Sequence, residues 1–349
     1  SYYMRIMITG DRGYIGSVLA PILLEKNYDV IGIDSGYFNE NILCEHIVDY
    51  ENFTCDIRDI ESQIFKNIDA VIHLAGLSND PLGELTPKIT YEINYKATIN
   101  LAKIAKNSGV KRFIYASSQS MYGISNSTEE LDEYNSEKNP LTAYASAKWM
   151  AEQDLKKLND DNFTVVSFRP STVFGVSPRL RTDIVFNNLL ACSYTTGNIE
   201  IKSDGTPWRP IIHVKDVCDA FIAGLEAPKE LVSGKSYNVG IKKGGNYTVR
   251  QIAEAASNAY PGSNLKFICE HTDPRSYKVS FARIHDDLGE FFKPSWNLSR
   301  GGKELIDFFK KVEFSEEKFR GRLTNRLKQI SYLLKNQKLD SNLRFIDKI

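Results

Sequence analysis

The 349-residue sequence predicts an α/β fold, with a doubly wound parallel sheet followed by a smaller C-terminal α/β lobe. Short apolar runs of strand length alternate with longer segments of helical periodicity through the first half of the chain. The first apolar run leads directly into a glycine-rich turn, and the second ends in an acidic residue. In an open sheet of this kind, ligands bind outside the carboxyl ends of the strands, where these motifs fall.

The composition is that of a globular protein and gives no reason to expect a nucleic-acid or membrane partner. The 44 basic and 44 acidic residues cancel, so an anionic ligand has to be held by a few locally placed arginines. No apolar run reaches the roughly 18 residues of a membrane-spanning helix, and the first one runs into glycines, unlike a secretory signal. Five scattered cysteines without a CxxC pair favour a reduced, cytoplasmic protein without structural zinc.

The first unit begins with a predicted strand over residues 4–9 and continues through Gly10-x-x-Gly13-x-x-Gly16 into a helical pattern. Glycines at these positions permit a tight turn and let backbone N–H groups approach a pyrophosphate at the positive end of the helix. The spacing is GxxGxxG rather than GxGxxG, and a turn without a ligand is the alternative. The context of strand, turn and helix favours a dinucleotide site.

The second predicted strand, over residues 29–34, ends in Asp34, which lies 18 residues beyond Gly16. At this position an acid accepts hydrogen bonds from the two free hydroxyls of a ribose and repels a 2′-phosphate. The motif therefore favours NAD over NADP. The alternative is that Asp34 only caps a loop, but its spacing from the glycines favours the ribose contact.

Four more strands are predicted near residues 52–55 and over 70–76, 112–116 and 163–169. Asp56, after the first of these, could accept a hydrogen bond from an adenine amino group. The run over 70–76 is apolar throughout, as expected of a parallel strand covered on both faces, and its small final residues would let a cofactor approach closely. His73 within this run is predicted to be a packed core residue rather than a catalyst.

A helical segment carries Tyr144-Ala-Ser-Ala-Lys148, whose spacing of four places both functional side chains on one helix face. A nearby ammonium favours the ionised form of a phenol and lowers its pKa from roughly 10. Such a phenol can take the proton of an alcohol while a hydride leaves the same carbon. By spacing alone, most such pairs are solvated helix surface.

Beyond Gly175 the pattern is less regular and predicts a smaller lobe, with part of 205–230 packing back onto the first domain. A strand over 237–240 and a helix that begins after Thr248 are assigned to this lobe. The tail over 301–349 has helical spacing, and docking on the core, docking on a partner subunit and solvent exposure are all compatible with it.

Taken together, these motifs resemble the extended short-chain dehydrogenase/reductase family, especially its nucleotide-sugar epimerases and dehydratases. The resemblance covers residues 4 to about 300. Besides the motifs above, it is carried by Leu74-Ala-Gly76, Asn94, Ser117-Ser118, Tyr122-Gly123, Arg169-Pro170, Arg209, His213-Val-x-Asp216 and Arg275-x-Tyr277. It implies a Rossmann-like NAD-binding domain over 4–175, a substrate lobe over 176–300, and a homodimer formed through the helices over 87–108 and 145–158.

The resemblance also implies a role for each matching residue. Tyr144 would be the acid/base, Lys148 would lower its pKa and hold the nicotinamide ribose, and Asn94 would support Lys148 through water. Ser118 would hydrogen-bond the reacting hydroxyl. Further cofactor contacts are implied for Gly10, Gly13, Tyr14, Ile15, Gly16, Asp34, Asp56, Ile57, Leu74, Ala75, Gly76, Ser117 and Pro170. Substrate contacts are implied for Ser118, Tyr144, Thr172, Arg209 and Arg275, the two arginines holding the diphosphate of a nucleotide sugar.

Departures from the family pattern narrow the chemistry. In 4,6-dehydratases the two residues after the catalytic Ser or Thr are typically Asp-Glu, which eliminate water, whereas this chain has Gln119 and Ser120. A decarboxylase would be expected to have glutamate at position 120 and a 3,5-epimerase cysteine, and serine fits neither. Thr172 replaces an asparagine of UDP-galactose 4-epimerases, which leaves the sugar open. The segment Ser177-Pro-Arg-Leu-Arg181 also differs and could add phosphate or sugar contacts or form a surface loop.

The predicted function is therefore an NAD-dependent nucleotide-sugar 4-epimerase. Tyr144 would deprotonate the C4 hydroxyl, hydride would pass to NAD, and the 4-keto sugar would rotate before hydride returns to its other face. A net C4 dehydrogenase or a 4-keto reductase would use the same residues and stays an alternative. A non-catalytic NAD-binding protein is a third, which the intact set of Ser118, Tyr144 and Lys148 argues against.

Overall fold

The computed structural model describes residues 4–45, 48–125, 129–269 and 276–347, and its main feature is a seven-stranded sheet. Within these ranges the strands are β1 (Arg5–Thr9), β2 (Asp29–Asp34), β3 (Glu51–Thr54), β4 (Ala70–His73), β5 (Arg112–Ala116), β6 (Thr164–Pro170), β7 (Thr172–Phe174), β8 (Asn198–Ile201), β9 (Trp208–His213), β10 (Lys235–Val239), β11 (Asn246–Thr248) and β12 (Asn264–Phe267). The large sheet has the order β10-β6-β5-β4-β1-β2-β3, and all its neighbours are parallel. The predicted parallel sheet is confirmed.

Helices cover the large sheet on both faces, as a doubly wound fold requires. In chain order the helices are α1 (Gly16–Glu25), α2 (Asp80–Leu85), α3 (Pro87–Tyr91), α4 (Ala97–Asn107), α5 (Ala143–Lys157), α6 (Val185–Thr196), α7 (Val214–Glu226), α8 (Lys229–Val232), α9 (Val249–Ala259), α10 (Ala282–Leu288), α11 (Leu298–Lys311), α12 (Glu316–Arg320) and α13 (Arg326–Lys335). Within the described ranges, none of them combines the length and apolarity needed to cross a membrane.

Strand β1 shows how the two faces are filled. Ile6 and Ile8 point into the core that contains α1 and α7, whereas Met7 between them packs with α4 and α5. All three side chains are fully buried. The continuous apolar run that predicted a doubly covered strand therefore reflects alternating contacts with two helical layers.

His73 at the end of β4 is a core residue, as the sequence predicts. Its ring nitrogens lie 2.6 Å from Thr9 Oγ1 and 2.7 Å from Thr98 Oγ1. Burial, with a smaller contribution from the charge of Lys148, lowers the pKa of His73 to about 3. The imidazole is thus neutral at physiological pH and serves as a hydrogen-bonding core group.

The helix predicted over residues 87–108 is not continuous. It consists of α3 and α4, joined by a π turn over Glu92–Lys96 that carries Asn94. A π turn shifts the side chains that follow it relative to a regular helix, and such turns are frequent at functional sites. Hydrophobic periodicity cannot reveal one extra residue in a turn.

The second half of the chain returns to the large sheet. The residues around Tyr237, which the sequence analysis assigns to the smaller lobe, belong to β10 and pair with β6. Helix α7 packs against β5 and β6, in line with the prediction for part of 205–230. Two small sheets, β11-β9-β7 and β12-β8, lie outside the large one. The domain boundaries at 175 and 300 remain a proposal.

The tail over 301–349 docks on the first domain through α13 and the residues that follow it. Its buried apolar side chains share one cluster with residues next to β2, β3 and β4, whose members include Ile330, Leu333, Leu339 and Leu343 from the tail and Tyr37, Ile57, Leu77 and Ile93 from the first domain. Arg58 also donates a 3.0 Å hydrogen bond to the carbonyl oxygen of Leu343. Of the alternatives left by the sequence, docking on the core is the one observed.

Candidate active site

A cavity of about 670 Å³ lies at the carboxyl ends of the central strands of the large sheet. This volume is ordinary for a small-molecule site. The predicted site residues in its lining are Gly10, Gly13, Tyr14, Ile15, Gly16, Asp34, Asp56, Ile57, Leu74, Ala75, Gly76, Ser117, Ser118, Tyr144, Lys148, Pro170 and Thr172. The structure thus brings together residues from the carboxyl ends of six strands, β1 to β6, and from helix α5. Asn94 and Arg209 are not in the lining, and Arg275 lies outside the described residues.

The glycine-rich turn leaves room for a ligand because glycine is required at two of its positions. Gly10 has φ +77°, and a Cβ there would lie 2.9 Å from the backbone nitrogen of Ala75. A Cβ on Gly16 would lie 2.2 Å from the carbonyl oxygen of Gly10. Helix α1 begins at Gly16, so its positive dipole end borders the cavity.

Asp34 lines the cavity at the end of β2, as predicted. Its carboxylate accepts hydrogen bonds from the backbone N–H groups of Arg12 at 3.0 Å and Gly36 at 2.8 Å. The guanidinium of Arg12 donates to Thr54 and Asn39. These contacts fix the carboxylate at the place where the glycine spacing predicts the adenosine ribose.

Asp56 and Ile57 line the same end of the cavity, but the carboxylate of Asp56 is already paired. Its oxygens accept from the Nε and Nη2 atoms of Arg58, the latter at 2.7 Å. Arg58 in turn donates to tail carbonyl groups. The predicted adenine contact therefore stays a prediction, and the structure adds that Asp56 connects this end of the cavity to the tail.

Asn94 lies behind the cavity wall rather than in it. Its side chain accepts a 2.8 Å hydrogen bond from Leu77 N and donates a 3.0 Å bond to Leu77 O. A Cβ on Gly76 would lie 2.8 Å from Asn94 Oδ1, so the loop after β4 packs directly on this amide. Asn94 thereby positions the cavity-lining loop over residues 76–77. Its predicted water-mediated support of Lys148 stays a prediction.

Helix α5 presents three functional side chains on one face, at positions 144, 148 and 152. Thr142 caps the helix by accepting a 3.0 Å hydrogen bond from Ala145 N and donates a 2.6 Å bond to Asp80. Lys148 is buried and donates a 2.8 Å bond to the carbonyl oxygen of Ala116 at the end of β5. The predicted arrangement of Tyr144 and Lys148 along one helix face is observed, and both side chains line the cavity.

The third side chain on this face, Glu152, anchors α5 to the sheet. Both of its carboxylate oxygens accept from Arg169 of β6, at 2.8 Å from Nε and 2.5 Å from Nη2. Arg169 also donates to the hydroxyl of Tyr122 at 3.1 Å. The ion pair is almost completely buried, and Arg169 directly precedes the cavity-lining Pro170. The pair therefore links the helix that carries Tyr144 to the strand that forms the opposite wall.

The predicted lowering of the Tyr144 pKa by Lys148 stays a prediction, because other groups dominate that pKa. Burial raises the pKa of Tyr144, whereas a hydrogen bond with Ser118 and the charge of Arg181 act to lower it. The Lys148 amine lies 6.0 Å from the centre of the tyrosine ring and is engaged with Ala116. Burial also lowers the pKa of Lys148 to about 8. Burial of the phenol is therefore the largest influence on the pKa of Tyr144.

Ser118 connects Tyr144 to the residues at positions 119 and 120. The hydroxyl of Ser118 is hydrogen-bonded to Tyr144, lies 2.8 Å from Ser120 Oγ and accepts from Ser120 N at 3.0 Å. Gln119 donates its amide to the carbonyl oxygen of Arg169 at 3.0 Å. Gln119 and Ser120 both line the cavity, where they support the wall and supply no titratable group.

Not every predicted substrate residue reaches the cavity, and several contributors were missed. Arg209 lies half-buried on β9, where its guanidinium donates to the carbonyl oxygen of Trp208, so its diphosphate contact stays a prediction. Arg181, left open by the sequence as a ligand contact or loop residue, lines the cavity. Arg326 of the tail and Tyr277 also line it. No local motif marked Arg326, because its position depends on how the distant α13 docks.

Comparison with known proteins identifies the group to which this site belongs. Residues 6–240 match the model of a family described as NAD-dependent epimerase/dehydratase. The chain belongs to this family. The resemblance stated from the sequence motifs is thereby confirmed, and the chain is an enzyme of the epimerase/dehydratase class.

Three similar proteins indicate the range of activities among epimerase/dehydratase relatives. The UDP-glucose 4-epimerase of Bacillus subtilis is 28% identical, over 86% of this chain and 94% of that protein. UDP-glucuronic acid decarboxylase 1 of Xenopus tropicalis is 24% identical, over 88% of this chain and 72% of that protein. The structure of a UDP-glucose 4-epimerase from Thermotoga maritima with UDP-glucose superimposes with TM-score 0.74 at 22% identity, covering 89% of this chain and all of that one. The family is thus established, and the specific reaction is not.

NAD is the cofactor of this epimerase/dehydratase, and the cavity fits it. The turn from Gly10 to Gly16 excludes side chains where a diphosphate would meet the α1 N-terminus. Asp34 presents a fixed carboxylate where the adenosine ribose is predicted, and Tyr144 and Lys148 line the same cavity where the hydride transfer is predicted. Both ends of a dinucleotide therefore have matching groups in one continuous cavity.

The Ser118→Ala variant of this epimerase/dehydratase should shift its pH–activity profile. Loss of the hydrogen bond from Ser118, which acts to lower the pKa of Tyr144, should raise that pKa further. We expect the acid limb of kcat/KM to move upward by about half to one pH unit, with kcat lowered about tenfold. Ser118→Thr, which retains the hydroxyl, is the matched control and should keep the wild-type profile. An unchanged limb in Ser118→Ala would remove Ser118 from the proton-transfer unit.

Proposed function

We propose that this enzyme is a nucleotide-sugar 4-epimerase that acts by transient oxidation and re-reduction at C4. The observation that supports the proposal is the combination of a hydrogen-bonded Tyr144–Ser118 pair with Gln119 and Ser120 at the two following positions. The site therefore has a proton carrier for oxidation but no acid at the positions where the family's dehydratases carry Asp-Glu. UDP-glucose is the first substrate to test, because the relatives from Bacillus subtilis and Thermotoga maritima carry that specificity in their names.

In this proposal the residues of α5 and of the loop after β5 move and hold the proton. Ser118 hydrogen-bonds the C4 hydroxyl and orients it toward Tyr144, which accepts the proton as the C4–H bond breaks. Lys148, held by the carbonyl oxygen of Ala116, stays beside the position proposed for the nicotinamide ribose. NAD, when bound, accepts the hydride and returns it. Tyr144 then gives its proton back to the C4 oxygen, so the enzyme ends in its starting state.

Asp80 is the carboxylate to consider for an elimination reaction, because it lines the cavity and its charge acts to raise the pKa of Tyr144. Its carboxylate accepts the 2.6 Å hydrogen bond from Thr142 at the N-terminus of α5. The carboxylate thus lies close to the positive end of this helix. In our proposal Asp80 therefore helps to cap α5 and does not donate a proton to a leaving hydroxyl.

The decisive experiment is product analysis with purified protein, NAD and a panel of UDP-, GDP-, CDP- and dTDP-hexoses. We expect a product that differs from its substrate only in C4 configuration, detected by NMR. The absorbance at 340 nm should not change, because no NADH accumulates. Stoichiometric NADH with a keto product would instead establish a net dehydrogenase. Loss of water or carbon dioxide would establish a dehydratase or decarboxylase. Tyr144→Phe serves as the inactive control for each reaction.

The proposal extends to assembly and location. We propose a homodimer in which the antiparallel region of α4 and α5 packs on its counterpart, as the family resemblance implies, and a cytoplasmic enzyme of carbohydrate biosynthesis. Helix α5 presents Met150 and other exposed positions on the face away from the sheet. Light scattering during gel filtration tests the dimer, and Met150→Glu should shift it toward the monomer.

A further inference from the structure

Two buried arginines in the cavity have hydrogen-bonding capacity that the described protein does not use. Arg181 is 8% exposed and Arg326 is 2% exposed, and both line the cavity. Within the described ranges, Nη2 of Arg181 and Nη1 of Arg326 have no hydrogen-bond partner. Leaving a charged donor buried without a partner is costly, so a ligand that supplies acceptors here would be stabilised.

The local charges are not balanced by the described protein. Asp183 accepts a 2.8 Å hydrogen bond from Arg181 Nε and a 3.2 Å bond from the backbone N–H of Arg326. In the part of the chain that the structure describes, it is the only carboxylate that forms an ion pair with either guanidinium. Burial and the neighbouring Arg181 lower the pKa of Arg326 to about 9, so Arg326 still carries its charge at neutral pH. One carboxylate therefore faces two cations.

Arg181 is held next to the glycine-rich turn. The loop that carries it is attached to that turn by a 2.8 Å hydrogen bond from Ser177 Oγ to Tyr14 O and a 2.7 Å bond from Tyr14 OH to Gly175 O. Burial raises the pKa values of both Tyr14 and Tyr144, and the charge of Arg181 acts to lower both. The charge of Arg181 thus acts both on Tyr14 in the glycine-rich turn and on Tyr144, the proposed acid/base.

Arg326 is held on the adenosine side of the same cavity. It donates a 2.7 Å hydrogen bond from Nη2 to the carbonyl oxygen of Arg179, and its guanidinium lies 4.9 Å from the centre of the Phe38 ring. Phe38 lines the cavity and follows Asp34 by four residues. The charge of Asp34 also acts to raise the pKa of Arg326. Arg326 is thus electrostatically coupled to Asp34, at the predicted adenosine ribose position, as Arg181 is to Tyr144, at the predicted hydride-transfer position.

We propose that Arg181 and Arg326 form a two-guanidinium site for the diphosphate of NAD, beside the glycine-rich turn. In a dinucleotide the diphosphate links the two riboses, and the two arginines are coupled to the residues predicted at these riboses, Asp34 and Tyr144. Guanidinium groups suit phosphate oxygens because they donate in a planar fork. The site rests on the cofactor of the family and not on which sugar the enzyme converts.

This assignment gives the tail a function. Arg326 is the first residue of α13, and α13 is docked on the first domain by its buried apolar face. The hydroxyl groups of Thr324 and Thr182 share a 2.6 Å hydrogen bond. It connects the segment just before α13 to the loop that carries Arg181. The tail thus acts as a strap that closes the cofactor cavity with a charge that the sheet domain does not itself supply.

The test is ligand binding, which does not depend on turnover. For Arg326→Gln we expect the Kd for NAD and for ADP to rise roughly 10- to 100-fold, with the Kd for adenosine unchanged within about twofold. NAD retained after gel filtration should fall accordingly. Arg326→Lys should restore part of the affinity, since it keeps the charge but not the fork. Arg320→Gln, on the exposed face of α12, is the matched control and should bind NAD as the wild type does.

Two results would overturn the assignment. Equal losses for adenosine and ADP would mean that Arg326 only holds the tail in place. Unchanged NAD affinity with weakened binding of UDP would assign the arginines to the diphosphate of the nucleotide sugar. If Arg326→Gln fails to fold, judged by thermal unfolding without ligand, Arg181→Gln has to meet the same criterion, because its loop is anchored independently by Ser177. A wild-type NAD affinity in Arg181→Gln would then reject the proposal.

Discussion

Replacing Tyr144 by phenylalanine should lower kcat about 10³-fold while leaving the Kd for NAD unchanged within about twofold. The substitution removes the hydroxyl that exchanges a proton with the C4 oxygen and leaves the ring packed where it is. Tyr144 is hydrogen-bonded to Ser118, and its Cβ lies next to Gly83 of α2, where an added methyl group would be only 2.9 Å away. The Cβ atom is therefore packed against α2, a contact that does not require the hydroxyl.

Initial rates with UDP-glucose and calorimetric titration with NAD check this prediction. Tyr28→Phe is the matched control, because it removes a phenol hydroxyl that bonds Glu226 and lies outside the cavity lining. We expect its kcat to equal that of the wild type. A Tyr144→Phe enzyme that turned over at the wild-type rate would require another proton carrier and would return the non-catalytic or differently catalytic alternatives to consideration.

The largest expected effect on stability comes from Glu152→Gln, which should lower the free energy of unfolding by about 3–5 kcal/mol. Arg169 would keep its charge in a site where its side chain is 2% exposed, and the paired carboxylate would be gone. The remaining acceptors around the guanidinium are the Tyr122 hydroxyl and the carbonyl oxygen of Glu133. These groups are neutral, and the nearby carboxylate of Glu133, whose pKa burial raises to about 7, compensates the buried cation only in part.

Urea unfolding followed by circular dichroism measures this change. Lys157→Met breaks the ion pair with Asp154 on the same helix, where the lysine side chain is 78% exposed, and should change stability by less than about 1 kcal/mol. This control separates the loss of a buried pair from any general effect of altering charge on α5. A loss below about 1 kcal/mol in Glu152→Gln would show that the neutral acceptors are sufficient for Arg169.

Features that depend on neighbours in sequence could be predicted. Strand β1, the glycines that follow it and Asp34 form one continuous segment, and the spacing within that segment determines which residues meet at the sheet edge. Tyr144 and Lys148 share a helix face for the same reason. The restrictive positions Gly10 and Gly16 were also visible, because few other residues tolerate such turns.

Features that depend on packing between distant parts of the chain could not be predicted from the sequence. Strand β10 joins β6 across about seventy residues, and apolar periodicity does not specify a partner. Arg326 reaches the cavity only because α13 docks against Ile57 and Leu77, contacts that no local motif encodes. The pKa of Tyr144 likewise depends on burial, which outweighs the lysine that the i, i+4 spacing brings near. Sequence reasoning thus identified the chemical groups but not the surroundings that tune them.

The alignment of Tyr144, Lys148 and Glu152 on α5 makes the phase of this helix a shared constraint on activity and stability. Each residue of an α-helix turns by about 100°, so one residue inserted between Lys148 and Glu152 would keep the ion pair or the acid/base in place, but not both. A substitution on the solvent-exposed face of α5, by contrast, does not change which side chains share the inner face. We therefore expect α5 to tolerate many exchanges at exposed positions such as Gln153 and Lys157, and no insertion or deletion between 144 and 152.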